Sequence, residues 1–199
     1  MNKMKPKAYL LIFDGMADWE AAHALCEINK SGKYEVVTVG FSAAPVSTMG
    51  GLQIIPEATI KDVNPDEACI LIMPGGDMWE QNTDGGITHL LRRLNERQVP
   101  IGAICGATLA IARAGLTHKR RHTSNAKEYL KTMVPEYEDE GFYADELAVT
   151  DQKIITASGL GSVEFGREVI RALDIYSEAD TEVWFEMFKH GVYPTTEAD

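Results

Sequence analysis

The segment Val99–Gly115 constrains the fold of this chain more than any other stretch. An apolar run, Ile101–Ile104, leads directly into Cys105, and a helical pattern follows from Ala107 to Ala114. A sharp strand-to-helix turn lifts its apex residue out of the sheet and places it at the positive end of the helix. Both effects favour a thiolate, which is the reactive form of cysteine. A small buried cysteine at a tight turn would show the same spacing, so the spacing alone leaves both interpretations open.

Strand-like and helix-like segments alternate along the rest of the chain, which is typical of a mostly parallel sheet covered on both faces. At 199 residues the chain has the length of one α/β domain. Strands are predicted at Ala8–Phe13, Tyr34–Val39, Ala68–Met73 and Ile101–Ile104, with hairpins over Val46–Ile55 and over Leu147–Thr150 and Lys153–Ala157. Helices are predicted at Asp18–Lys30, Thr83–Arg97, Ala107–Ala114, Ala126–Met133, Val163–Leu173 and Thr181–His190. The segment Thr117–Asn125 is predicted to be an edge strand or a loop.

Composition narrows the possible partners. The formal net charge of −11 argues against a nucleic-acid partner. The apolar segment behind the basic N-terminus is too short for a signal peptide or a membrane span, so no membrane partner is expected. The three cysteines, Cys26, Cys69 and Cys105, lack metal-ligand spacing. We therefore expect free thiols, a cytoplasmic location, no metal and no cofactor.

Three strand ends carry residues suited to chemistry, and ligands bind beyond the carboxyl ends of parallel strands. Glu20 follows the first strand, Gly75 and Gly76 follow a middle strand, and Cys105 ends its own strand. A Glu20 carboxyl held protonated by its surroundings would stabilise a Cys105 thiolate. The two glycines and Gly106 offer backbone N–H groups for an oxyanion. Ordinary alternatives remain for each, namely a helix-start acid for Glu20 and a strand-ending turn for the glycines.

A cysteine hydrolase normally needs a histidine base. Five histidines are present, at positions 23, 89, 118, 122 and 190, and none follows Cys105 directly. His122 is the best placed of them to fold back toward Cys105, although an ordinary surface-strand residue is the commoner case.

Four motifs in combination resemble the ThiJ/PfpI family, a branch of the class I glutamine-amidotransferase-like superfamily. They are Phe13–Glu20 (FDGMADWE), Ile72–Gly76 (IMPGG), Ala103–Ala107 (AICGA) and Thr156–Phe165 (TASGLGSVEF). The resemblance implies a flavodoxin-like three-layer α/β/α sandwich over a single domain, 1–199. It extends from Ala8 to about Leu173, and the helical pattern beyond it predicts a C-terminal helical extension at about 178–193. It also implies Cys105 as nucleophile, Glu20 as the acid that contacts it, and Gly76 and Gly106 as oxyanion donors.

Two departures from the family pattern bear on activity. The PfpI-type proteases carry a histidine directly after the nucleophile, where this chain has Gly106. The deglycase-like members carry a histidine in a segment that aligns with residues 122–125 here, and Asn125 falls on its position. Asparagine cannot take up a proton at neutral pH. His122 lies three residues away, which on a strand places it on the opposite face; Asn125 and His122 therefore stand only as accessory residues.

The resemblance implies a cysteine-dependent protein that acts on a small reactive carbonyl, thioester or amide substrate of glyoxalase, deglycase or hydrolase type. The alternative is a redox- or stress-sensing or ligand-binding protein that uses the same cysteine without turnover. Peptidase activity is not expected. The family commonly pairs, so a homodimer is expected, with a small-molecule substrate as the other partner. We further expect a depressed pKa and a positive φ at Cys105, and inert thiols at Cys26 and Cys69.

Overall fold

A seven-stranded sheet forms the centre of the fold in the computed structural model, which describes residues 5–81 and 84–194. Its strands are β1 (Lys7–Ile12), β2 (Glu35–Gly40), β5 (Ala58–Thr59), β6 (Ala68–Met73), β7 (Ile101–Ile104), β8 (Ala148–Asp151) and β9 (Ile154–Ala157). They lie in the order β5-β2-β1-β6-β7-β9-β8, and every neighbouring pair is parallel except β8 with β9. The predicted hairpin near residue 50 is a separate ribbon of β3 (Val46–Ser47) and β4 (Gln53–Ile54).

Helices cover both faces of this sheet. The first layer holds α1 (Asp18–Ser31), α5 (Ser162–Ala172) and α6 (Glu178–His190), which pack on one another. The second holds α2 (Ile87–Glu96), α3 (Thr108–Arg113) and α4 (Lys127–Met133). The central strands are buried on both sides, which explains why β1, β6 and β7 are almost continuously apolar. The α/β sandwich expected from the alternating pattern is thus confirmed.

The differences from the sequence prediction lie at element ends and in short segments. Helix α2 begins at Ile87, because Gly85 and Gly86 have φ of +53° and +91° and interrupt the helical backbone. The predicted start, Thr83, lies outside the described residues. The segment 117–125 is a loop with one isolated bridge, from His122 to Tyr143, and the sheet edge is β8 instead. Strand β5 and a 3-10 turn over Asp77–Gln81 were not predicted.

The topology gathers the functional candidates at one edge of the sheet. Strands β1, β6, β7 and β9 run parallel and end at the same edge. The segments that follow them carry Glu20, in the first turn of α1, and Gly75, Cys105 and Gly159. Within the described residues no helix combines the length and the apolar character needed to cross a membrane.

Candidate active site

Cys105 lies at a strained turn between β7 and the helical segment that follows. Its φ is +61°, a conformation that a non-glycine residue adopts at a cost of about 1–3 kcal/mol. A 3-10 turn over Cys105–Ala107 leads directly into α3. The Thr108 hydroxyl donates a 2.6 Å hydrogen bond to the Cys105 carbonyl and so ties the turn to the helix start. The positive φ predicted for Cys105 is therefore confirmed.

Glu20 is the third residue of α1, and its side chain points inward to Cys105. It is only 1% exposed. The Gly75 N–H donates to one Glu20 carboxyl oxygen at 2.5 Å. The carboxyl lies beside the Cys105 sulfur, since a Cβ added at Gly159 would lie 3.0 Å from the sulfur and 3.3 Å from Glu20 Oε1. Burial raises the pKa of Glu20, and the hydrogen bonds from Gly75 and Cys105 offset only part of that rise. The contact and the raised pKa agree with the sequence prediction.

Asn125 approaches the sulfur from the loop before α4. Its Nδ2 lies 3.3 Å from Cys105 Sγ, and its Oδ1 accepts a 2.9 Å hydrogen bond from the Gly159 N–H. The Gly159 contact fixes the orientation of the amide, because an N–H group must face the oxygen. The NH₂ group is consequently turned toward the sulfur as a donor. The structure thus brings Asn125 into the site predicted around Cys105 and Glu20.

These contacts determine where the proton of the site can lie. Asn125 donates to the sulfur, whereas Glu20 is a group with which a proton can be exchanged. Burial raises the pKa of Cys105, and the Glu20 charge raises it further, against the lowering effects of Asn125 and Gly106. The predicted depressed pKa is therefore wrong: the turn places the thiol beside a carboxyl and partly out of water. Glu20 and Cys105 form a pair in which both proton affinities are raised.

The predicted oxyanion donors differ in their availability. The Gly75 N–H is taken by Glu20, which leaves Gly76 and Gly106 as the predicted donors. Among the described residues the Gly76 N–H has no acceptor. A Cβ at Gly106 would lie 3.1 Å from the Gly76 carbonyl oxygen and 3.2 Å from the Trp79 ring. Buried Trp79 occupies the space next to position 106, so a side chain there would press against its ring. This contact explains why glycine fits at position 106.

His122 lies outside the site. It is 1% exposed, with Nδ1 2.7 Å from the Arg120 carbonyl oxygen and Nε2 2.6 Å from the Tyr137 hydroxyl. Its assignment as an accessory residue is wrong, and so is the expectation of a surface-strand position. Both ring nitrogens are used by partners remote from Cys105, because the loop carries the side chain into the protein and Asn125 to the cavity.

The other two thiols differ from each other. Burial raises the pKa of Cys69 to about 12, in agreement with its predicted inertness. Cys26 is exposed on α1, so burial does not protect it, and its inertness stays a prediction. Cys26 therefore provides an exposed reference thiol within the same chain.

A cavity of about 330 Å³ opens above the sulfur. Its lining residues are Trp19, Glu20, Cys105, Asn125, Ser158, Gly159 and Leu160. A Cβ at Gly159 would lie 3.0 Å from the sulfur and 3.3 Å from Glu20, so only glycine leaves the Cys105–Glu20 pair undisturbed. In residues 5–81 and 84–194, no group of three or more His, Cys, Asp or Glu side chains is arranged to hold a metal ion.

Sequence reasoning missed three parts of this site. Trp79, Gly159 and the apolar pair Trp19 and Leu160 were not singled out. Trp19 directly precedes Glu20, and Gly159 and Leu160 lie within the motif Thr156–Phe165, so adjacency to predicted residues was the available signal. No local pattern points to Trp79 as the neighbour of position 106, because that contact joins two separate loops.

Comparison with known proteins agrees with this architecture. The DJ-1/PfpI family matches residues 6–172. The chain is 35% identical to the protein named uncharacterized protease YoaZ of Bacillus subtilis, over 92% of this chain and 90% of that protein. The crystal structure of a thiJ/pfpI family protein from Bacillus anthracis superposes with a TM-score of 0.88 at 33% identity, over 96% of this chain and 94% of the other. A more distant relative, 26% identical over 72% of this chain and 75% of its own length, is named glutathione-independent glyoxalase DJR-1.2 of Caenorhabditis elegans. Because the family model matches most of the sequence and the fold superposes on that of a family member, this chain is a member of the DJ-1/PfpI family.

Proposed function

We propose that this protein converts small α-oxoaldehydes into 2-hydroxy acids by covalent catalysis at Cys105, with Glu20 as the proton carrier. The observation that carries the proposal is the buried Glu20 carboxyl beside the Cys105 sulfur at the base of an open cavity. Its supporting contact is Asn125, a donor to the sulfur that cannot itself act as a base. The relative named as a glutathione-independent glyoxalase supports the same reaction class.

The first step is addition to the aldehyde. The Cys105 sulfur forms a C–S bond to the aldehyde carbon while its proton passes to the Glu20 carboxylate. The carbonyl π electrons move to the oxygen, which takes that proton from Glu20 to give a hemithioacetal. The Gly76 and Gly106 N–H groups are the proposed donors to the developing oxyanion.

The second step is an internal redox exchange. Glu20, again a carboxylate, removes the hydrogen of the hemithioacetal carbon as a proton, and the C–H electron pair forms a C=C bond to the neighbouring carbon while that carbon's carbonyl π electrons move to its oxygen. The hemithioacetal hydroxyl proton then passes to this oxygen, the former hydroxyl oxygen forms the thioester C=O, and the C=C electron pair takes the proton back from Glu20 at the neighbouring carbon. The former aldehyde carbon is thereby oxidised to a thioester as the neighbouring carbon is reduced to an alcohol. Water then cleaves the thioester, which releases the 2-hydroxy acid and the thiol. Overall, one α-oxoaldehyde and one water give one 2-hydroxy acid.

Peptide hydrolysis fits this site less well. An amine leaving group must be protonated, which general acid catalysis assists by roughly 10²–10⁴-fold. Among the described residues no histidine lines the cavity, and Trp79 crowds the position next to Cys105. An α-oxoaldehyde has no amine to expel, so a single carboxyl suffices.

Redox sensing at Cys105 is the second candidate. The donors around the sulfur, from Asn125 and Gly106, would also stabilise a sulfinate formed by a peroxide. Treatment with hydrogen peroxide followed by mass spectrometry distinguishes the two. Sensing without turnover predicts selective oxidation of Cys105 over Cys26 and no consumption of α-oxoaldehyde.

Two further expectations remain proposals. A cytoplasmic location is in keeping with three unpaired cysteines. A homodimer is in keeping with the exposed apolar residues of the C-terminal region, Val183, Phe188, Val192 and Tyr193. Light scattering at micromolar concentration checks the second, and a monomer mass contradicts it.

The test of the proposed function is methylglyoxal turnover by the wild-type protein, followed as both substrate loss and 2-hydroxy acid formation. We expect Cys105→Ser to lose activity and Asn125→Ala to retain a reduced rate, because the donor is lost but the proton carrier remains. Absence of acid formation by the wild type contradicts the proposal. So does casein cleavage by the wild type that Cys105→Ala abolishes.

A further inference from the structure

Two exposed apolar side chains flank the opening above Cys105. Trp19 is 52% exposed and Leu160 is 86% exposed, and both line the cavity that reaches the sulfur. Exposure of a single apolar residue needs no explanation, but these two share one small cavity with the reactive atom.

The loop that carries Leu160 is held in place by several hydrogen bonds. The Gly159 N–H is bound by Asn125, the Ser158 N–H donates to the Leu147 carbonyl at 2.9 Å, and the Gly161 N–H returns to Ser158 at 2.8 Å. Leu160 therefore projects from an ordered tight turn. Trp19 is fixed on the other side by the first turn of α1, directly before Glu20.

The remaining surroundings of the sulfur are closed to a substrate side group. A Cβ added at Gly75 would lie 2.9 Å from the sulfur, and one at Gly159 would lie 3.0 Å from it. Backbone therefore closes the site at both loops, and Asn125 covers the sulfur with its amide. The group attached to a reacting carbonyl carbon has to extend toward the open mouth, where Trp19 and Leu160 lie.

We infer that Trp19 and Leu160 are specificity-determining residues that select carbonyl substrates with an aromatic or branched apolar substituent over the smallest ones. This inference rests on the proposed reaction at Cys105 and names its substrate class. An apolar group held between the two side chains leaves water, and such contacts discriminate between substrates by about tenfold or more. Phenylglyoxal is accordingly expected to have a higher kcat/KM than methylglyoxal, with the difference mainly in KM.

A labelling experiment tests this inference without requiring turnover. Iodoacetamide and N-benzyliodoacetamide react alike, since the sulfur forms a C–S bond and iodide leaves, but only the second carries an aromatic group. Peptide mapping gives the rate constants at Cys105 and at exposed Cys26 in the same sample. We expect the benzyl-to-plain ratio at Cys105 to exceed that at Cys26 by about tenfold.

Variants identify the residues responsible. Leu160→Ala and Trp19→Ala should bring the Cys105 ratio toward the Cys26 ratio, and the high exposure of both residues makes misfolding no explanation. Ile55→Ala is the matched control, because it removes an exposed apolar side chain that does not line the cavity. Equal ratios at the two cysteines, or a Cys105 ratio that Leu160→Ala leaves unchanged, overturn the inference. A benzyl preference together with no turnover of either glyoxal upholds the apolar opening and overturns the proposed function instead.

Discussion

Two buried polar pairs in this protein, His122–Tyr137 and Glu20–Cys105, differ in whether a reactive atom remains accessible. His122 and Tyr137 are joined by a 2.6 Å hydrogen bond, and the other ring nitrogen of His122 lies 2.7 Å from the Arg120 carbonyl oxygen. Because that carbonyl can only accept, Nδ1 carries the proton and Nε2 accepts from the tyrosine. Both ring nitrogens of His122 are therefore occupied by hydrogen bonds, and neither is free to exchange a proton with a substrate.

In the second pair, Glu20 is as deeply buried as His122, but the Cys105 sulfur faces the cavity. Glu20 is 1% exposed, whereas Cys105 is half-buried and lines the cavity. Both groups have a raised pKa because burial disfavours their charged forms. A buried titratable residue therefore marks function only where a reactive atom also faces open space.

The largest expected contrast follows from Cys105→Gly. Turnover should fall by roughly 10⁴-fold or more, as for loss of any nucleophile. The free energy of unfolding should nevertheless rise by about 1 kcal/mol, because glycine adopts a φ of +61° without strain. Chemical denaturation and methylglyoxal assays measure the two effects, and a destabilised variant would show that the turn is not strained.

Glu20→Gln should lower turnover by roughly 10²–10⁴-fold, the usual contribution of a proton carrier. Glutamine still accepts from the Gly75 N–H, so the loop geometry is kept. A loss of less than about tenfold would indicate another proton carrier, since general acid–base catalysis is worth more than that.

The same variant has a predicted effect on stability against pH. The folded-state pKa of Glu20 lies above its unfolded value, so its stabilising contribution is complete below about pH 4.3 and is lost as pH rises through the folded-state pKa. Glu20→Gln should therefore be more stable than wild type at pH 8 and lose that advantage at pH 4. Thermal unfolding at the two pH values checks this, and the reverse order contradicts the raised pKa.

Tyr137→Phe is expected to lower stability and to leave turnover nearly unchanged, unlike the variants of the candidate site. It leaves the buried His122 Nε2 without a donor, which should cost about 1–3 kcal/mol of unfolding free energy. Turnover should stay within about twofold of the wild-type rate, and a twofold change corresponds to less than about 1 kcal/mol of activation free energy. If the folded variant lost as much turnover as Glu20→Gln, His122 would have to take part in the reaction.

Low pH should also reduce the stability that the His122–Tyr137 pair contributes. Burial lowers the pKa of His122, so the unfolded chain binds a proton that the folded protein excludes. The contribution of the neutral ring is complete above about pH 6.5 and declines as pH falls from there through the folded-state pKa. The stability difference between pH 8 and pH 5 should therefore be smaller in His122→Gln than in wild type, and an equal difference contradicts this assignment.

The sequence predicts the parts of this site that depend on neighbours along the chain. The turn at Cys105, the position of Glu20 in the first turn of α1 and the glycines after β6 follow from residue types at short spacing. The burial of His122, the exposure of Cys26 and the raised pKa of Cys105 do not, because they depend on contacts between distant segments. Asn125 is intermediate: its position was predicted, but its hydrogen bond to Gly159 joins two loops that only the fold brings together.

The most direct test of the account is the pH dependence of Cys105 alkylation by iodoacetamide in wild type and in Glu20→Gln, with Cys26 as the internal reference. If Glu20 takes the thiol proton, the wild-type rate constant at Cys105 rises as pH passes through the raised pKa of Glu20, below the pH at which the thiol itself ionises. In Glu20→Gln that first rise should vanish while the Cys26 profile stays unchanged. Superimposable Cys105 profiles in the two proteins would contradict the claim that Glu20 and Cys105 act as one proton-exchanging pair.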